Sequence, residues 1–230
     1  MQPTTIRDQE IADIQQQFLQ KVYSWMFGAL AITGGIAYVL AGKPQILAMI
    51  SGSPILFYGT IFGQLGLVWY LSARIDQMTS SRAFGLFTLY AALNGVVFSL
   101  IFAMYTSASI VSTFLVTAGT FAVMSFYGFV TKQDLSKLGN LLFMALIGLI
   151  IASVVNYFFA SSTLYWIITY AGILIFVGLI AYDTQKIKKM SVTFHDAEGH
   201  NKGAIIGALM LYLDFINLFL YLLRLLWNRK

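Results

Sequence analysis

Apolar positions in this chain gather into seven long runs separated by short polar breaks. The runs are Val22–Ala41, Ile55–Ala73, Phe84–Tyr105, Ile110–Val130, Leu138–Ala160, Leu164–Asp183 and Gly203–Trp227. A helix rises 1.5 Å per residue, so roughly 20 mostly apolar residues cross a bilayer. Each run is predicted to be a transmembrane helix. Gly-Lys-Pro at 42–44 and Ser-Gly-Ser-Pro at 51–54 punctuate the first connection. Asp76–Ser81 and Thr131–Lys137 are polar turns. Thr106–Ser109 and Ser161–Thr163 are so short that the third and fourth runs, and the fifth and sixth, should form antiparallel hairpins.

Residues 1–21 are polar, and 22–230 form the seven-helix domain. In the tail Ile11, Ile14, Phe18 and Val22 recur at helical spacing, which predicts a short amphipathic helix on the membrane surface over Ile11–Lys21. The first apolar run is too long and starts too late for a cleavable signal peptide.

Composition agrees with this reading. Hydrophobic residues are 59 % of the chain and charged residues 10 %, where a soluble domain is about one-quarter charged. There are no cysteines, which excludes disulfides, thiolate metal sites and thiol catalysis. The net charge of +5 is spread over short loops, so it sets orientation and does not point to nucleic acid. Of the 14 Lys and Arg residues, all but Lys43, Arg224, Arg229 and Lys230 fall on one side of the predicted topology. That side is expected to be cytoplasmic, with the N-terminus inside and the C-terminus outside.

Two aspartates stand in the apolar runs. Asp183 ends the sixth and Asp214 lies within the seventh. A carboxylate in hydrocarbon is expensive and normally faces a bundle interior or a water-filled path. If Thr184–Lys189 extends the sixth helix, Asp183 is drawn inside the membrane. Asp214 enters from the same side, roughly 16 Å along the axis from Gly203. Arg74 ends the second run on that side too, so one arginine and two aspartates can converge. Two adjacent carboxylates cannot both ionise cheaply in a low dielectric and tend to share a proton. An opposing arginine would make a pH-sensitive latch. The pair is also a candidate ligand set for Ca²⁺, which takes carboxylate oxygens. The plainer alternative is a static ion pair at the membrane surface.

Asp214, Asn217, Tyr221 and Arg224 form one polar stripe on the seventh run. That stripe reads as a central helix lining a path, with Asn217 and Tyr221 as candidate lining residues, or as a hydrogen-bonded seam between helices. Asn94, Asn156 and Gln64 are expected to be interhelical glue. Gly59 and Gly63 have the small-xxx-small spacing of closely packed helices. Trp25, Trp69, Trp166 and Trp227 suit interfacial belts. His195 and His200 are placed in a solvated loop after the sixth run.

Enzymatic readings fail on their motifs. The Tyr-Leu-Asp-Phe around Asp214 is not the Gly-x-Gly-Asp of intramembrane aspartyl proteases. No His-Glu-x-x-His, Walker loop or retinal-bearing lysine in the seventh run is present. No tightly bound cofactor is implied. An ion-conducting or proton-sensing bundle remains, alongside a non-conducting regulator of other membrane proteins, such as a membrane-protease modulator, and a proton-coupled transporter.

The segments Gly178-Leu-Ile-Ala-Tyr-Asp-Thr-Gln-Lys-Ile-Lys188 and Leu211-Tyr-Leu-Asp-Phe-Ile-Asn-Leu-Phe-Leu-Tyr-Leu-Leu-Arg-Leu225 resemble the last two helices of the Bax inhibitor-1 family, also called the transmembrane Bax inhibitor motif family. Residues 143–156 and Tyr90-Ala-Ala-Leu-Asn-Gly95 resemble it too, and the short loops look bacterial. The resemblance implies six helices wrapped around a central seventh. It implies a pH-sensitive Ca²⁺ leak in a bacterial inner membrane, governed by aspartates at the positions of Asp183 and Asp214, with Arg74 at the position of a latching arginine. Lipid, Ca²⁺, protons and other membrane proteins are the partners it implies. Animal members carry a lysine-rich C-terminus, where this chain has only Asn-Arg-Lys at 228–230.

Overall fold

Where the sequence alternates long apolar runs with Pro, Gly and Ser breaks, a computed structural model shows eight α-helices. It describes residues 3–194 and 196–227. The helices are α1 (Pro3–Ala41), α2 (Pro44–Gly52), α3 (Pro54–Arg74), α4 (Ser80–Met104), α5 (Ser107–Val130), α6 (Ser136–Phe159), α7 (Ser162–Met190) and α8 (Ala197–Leu226). No strand occurs among the described residues. All but α2 are long and apolar enough to cross a membrane. The molecule is an all-α, multi-pass membrane protein. The last span is the most protected, with 67 % of its most apolar stretch buried against 6 % to 44 % in the others. This is the burial that a central helix requires.

Helix boundaries follow local chemistry. Pro44 and Pro54 open α2 and α3 at the first turn, where a missing N–H costs nothing. The Ser53 hydroxyl accepts from Leu56 N–H at the start of α3, and Thr79 accepts from Arg82 N–H at the start of α4. Helix α2 lies between two breaks that the sequence reading took as one connection. It is only nine residues long, too short for a spanning signature.

The chain divides into two compact units. One holds residues up to Thr106 together with Lys188–Tyr212, and the other holds Ser107–Ile187 together with the chain from Leu213 onward. In the first unit, α1 differs from expectation. The tail does not form a separate surface helix but runs unbroken into the first span. The end of its apolar stripe anchors it, with Val22 buried and Phe18 buried beside the rings of Phe194 and His200, while Ile11 and Ile14 stay exposed. His200 therefore sits on the first turn of α8, not in a solvated loop. His195, the Arg7 side chain and residues 228–230 lie outside the described residues. Deeper in this unit Tyr212 of α8 is buried and meets the Thr33 hydroxyl at 2.7 Å, which in turn donates to the Ala91 carbonyl. One hydrogen-bonded chain thus ties α8, α1 and α4.

In the second unit α6 and α7 are an antiparallel hairpin, with Gly139 against Tyr182 and Gly178 against Leu142. Close approach is concentrated at such glycines. Gly128 of α5 lies so near the Ala181 carbonyl of α7 that a Cβ would overlap that backbone. The Gly59 and Gly63 pair does not pack in this way, since nothing lies within 4 Å of a Cβ at either position. Two asparagines also depart from expectation. Asn94 donates to Tyr90 C=O in its own helix, and Asn156 Oδ1 accepts from Ser161 N–H at the end of α6. Gln64 does act between helices, donating to Leu93 C=O of α4.

Gly128→Ala is therefore expected to destabilise the protein by about 1–3 kcal/mol, because the clash is with backbone and cannot be relieved by a rotamer. Gly59→Ala should be neutral or slightly stabilising through helix propensity. Thermal melts of both variants in detergent check this. Equal melting temperatures would contradict the packing described.

Candidate functional site

Helix α7 continues to Met190, so Asp183 stands about two turns inside a helix and not at its lip. Asp214 is the eighteenth residue of α8, roughly 26 Å from its start at 1.5 Å per residue. This is deeper than expected, because α8 begins at Ala197 rather than Gly203. Both aspartates belong to the second unit, and their carboxyl groups hydrogen-bond to each other. Asp214 is 4 % exposed, and its Oδ2 has no partner. Asp183 is half-buried. Two carboxylates can meet through a hydrogen bond only with a proton between them.

The surroundings fix this pair on both helices. Next to Asp183, the Ala181 carbonyl lies against Gly128 and the Tyr182 ring against Gly139. Thr184 gives its hydroxyl proton to Ile180 C=O, so Ser125 of α5 donates to Thr184 across 2.9 Å. Gln185 clamps the loop before α6, accepting from Leu135 N–H and donating to Gln133 C=O. Next to Asp214, Phe215 packs against Phe114 and Phe121 of α5 with centroids 5.5 and 5.6 Å away. Neighbours locked in this way hold a functional group within narrow limits.

Charge near the pair comes from an unexpected source. Within this unit the cation acting on Asp183 is Lys186, one turn further along α7. Its i+3 spacing was visible in the sequence. Arg74 belongs to the first unit, where its guanidinium bonds to Gln77. Gln185, Ser125 and Thr184 carry no signal in a single sequence, because polar residues of this kind recur in many helices.

The polar stripe of α8 is engaged in packing. Asn217 donates to Leu213 C=O in its own helix. Tyr221 stacks on Phe176, covers Gly172, and its hydroxyl bonds to Ser153. Arg224 lies over the rings of Tyr165 and Tyr221, 4.9 and 5.4 Å from their centroids. For a metal, the pair supplies two carboxyls. No group of three or more His, Cys, Asp or Glu gathers among the described residues. A resident Ca²⁺ takes six to eight oxygens, more than two carboxyls supply.

Removing the Gln185 clamp tests this architecture. Gln185→Ala leaves Leu135 N–H and Gln133 C=O without partners, which should cost about 1–3 kcal/mol. Amide exchange at Leu135 should rise. Unchanged exchange there would contradict the assignment of Gln185 as the clamp.

Comparison with known proteins now gives the family. The family model described as "Inhibitor of apoptosis-promoting Bax1" matches residues 15–230. The chain is 48 % identical to the inner membrane protein YbhL of Escherichia coli K12, covering 94 % of this chain and 93 % of that protein. It is 47 % identical to an uncharacterized protein of Borreliella burgdorferi, over 98 % of this chain and 97 % of that one. An uncharacterized membrane protein of Streptococcus pyogenes serotype M3 is 36 % identical, over 90 % of this chain and 91 % of its own length. A match over nearly the whole length, carrying both aspartate helices, places the chain in the Bax inhibitor-1 family.

Proposed function

We propose that this protein is a pH-sensitive Ca²⁺ leak of the inner membrane, in which the Asp183–Asp214 pair is the proton-controlled gate. The observation that carries this reading is the hydrogen bond between two carboxyls in apolar spans, with one buried oxygen, Oδ2 of Asp214, left without a partner. A group that costs this much to bury is retained for ions or protons. With a proton between them, the two carboxyls hold α7 to α8. Loss of that proton sets two negative charges side by side, which loosens the link and offers oxygens to a passing cation. Asn217, Tyr221 and Arg224 continue the stripe beyond the gate. Arg74 stands at the position of the latching arginine that the family resemblance implies, and the N-terminus is cytoplasmic, as the distribution of basic residues indicates.

The experiment is Ca²⁺ entry into dye-loaded liposomes across pH. Wild-type flux should change within roughly pH 6–8, far from the ~3.9 of a free aspartate. Asp183→Asn and Asp214→Asn should each flatten that dependence, and the double variant should add little, because coupled groups are not additive. Arg74→Ala should raise the basal leak. A wild-type pH profile in both single variants would sink the gate. Absence of flux at every pH would favour a non-conducting regulator.

A further inference from the structure

A groove of about 530 Å³ opens in the first unit between α1 and α4, beside the start of α8. Its volume is that of a small-molecule site, roughly 300–1,000 Å³. The two ends differ in chemistry. At the mouth stand Lys21, Ser24, Ser81 and Asn201. Inside, the walls are Gly28, Ile32, Phe84 and Phe87. From Lys21 to Ile32 the groove follows α1 for roughly 16 Å at 1.5 Å per residue. It therefore runs from a polar helix end into the apolar part of a span.

Among the described residues that line the groove, Lys21 is the one ionisable group. Its ammonium bonds to Asn201 Oδ1, which uses one of its three protons. A second cavity of about 410 Å³ flanks the same lysine on the side of Phe18 and His200, so space remains around it. The neighbouring charges are already engaged, Glu198 by a residue of the groove itself. Glu198 accepts from the backbone and hydroxyl of Ser80, Arg82 donates to Tyr70, and Lys202 donates to the Asp76 carbonyl. The wall itself is open. Phe84 is 46 % exposed, and nothing lies within 4 Å of where a Gly28 Cβ would be. Trp25 stands edge-on to Phe84 at 4.8 Å, an amphipathic ring at the level where polar meets apolar.

We propose that this groove binds one anionic phospholipid, its phosphate on Lys21 and the Ser81 hydroxyl and one acyl chain lying between α1 and α4 along Gly28 and Ile32. A cation at the mouth selects an anion, and an apolar channel at span depth selects a chain. A free phosphate satisfies only the first condition. Basic pockets between spanning helices are a known basis for holding lipid headgroups.

The test uses the purified full-length protein in detergent, titrated with dioleoyl-phosphatidylglycerol and followed by native mass spectrometry, with melting temperature as a second readout. Wild type should retain one phosphatidylglycerol per chain and gain thermal stability. Lys21→Gln should weaken binding about fivefold, the worth of one lysine near anionic lipid. Gly28→Leu should fold normally, since the space is empty, and should lose the retained lipid by filling the channel. Phosphatidylcholine held as tightly as phosphatidylglycerol would overturn the proposal, and so would glycerol phosphate protecting as well as the whole lipid. Wild-type lipid binding in both variants would overturn it too. A Gly28→Leu variant that changed from dimer to monomer would overturn it in favour of a second copy seated in the groove.

Discussion

The constraint on which this structure depends is that a carboxyl group buried in apolar spans must find a partner, and here the partner is another carboxyl. Asp214 is nearly inaccessible and Asp183 reaches it from the adjoining helix. Each bond that fixes α7 beside Asp183 serves that meeting. Ser125 holds Thr184, Gln185 holds the loop before α6, and glycines at 128 and 139 let α5 and α6 come close enough to leave little freedom. Three buried polar residues, Ser125, Thr184 and Gln185, stand around that pair. In the proposed function the pair is held by a proton, which is the species that varies with pH.

Much of this was legible in the sequence, for physical reasons. Hydrocarbon demands long apolar helices, so the spans declare themselves by length alone. It also makes an intramembrane aspartate conspicuous, so Asp183 and Asp214 stood out without any structure. The extension of α7 past Asp183 was legible because Thr184–Lys189 has no helix breaker.

What failed to show was whatever depends on distance between helices. Gly59 and Gly63 have the spacing of a packing motif, yet the close approaches are at Gly128, Gly139 and Gly172, whose spacing is unremarkable in the sequence. A glycine motif states that helices can approach, not which ones do. The tail is continuous with the first span, which its polar composition hid, and Phe18 at its end finds Phe194 and His200. Asn94 and Asn156 looked like interhelical donors but turn to backbone near them, which is the commoner fate of a short amide. Lys186, one turn from Asp183 along the same helix, was passed over as a charge acting on it.

Membership of the Bax inhibitor-1 family fixes the architecture and leaves the chemistry to the residues. The central claim is that Asp183 and Asp214 share a proton, and infrared difference spectroscopy of the protein in lipid reads this most directly. Across roughly pH 6–8, wild type should show the C=O stretch of a protonated carboxyl that disappears as pH rises. Both Asp183→Asn and Asp214→Asn should shift or abolish it, because the proton belongs to the pair. No such band, or one that responds to a single substitution and ignores the other, would contradict the account.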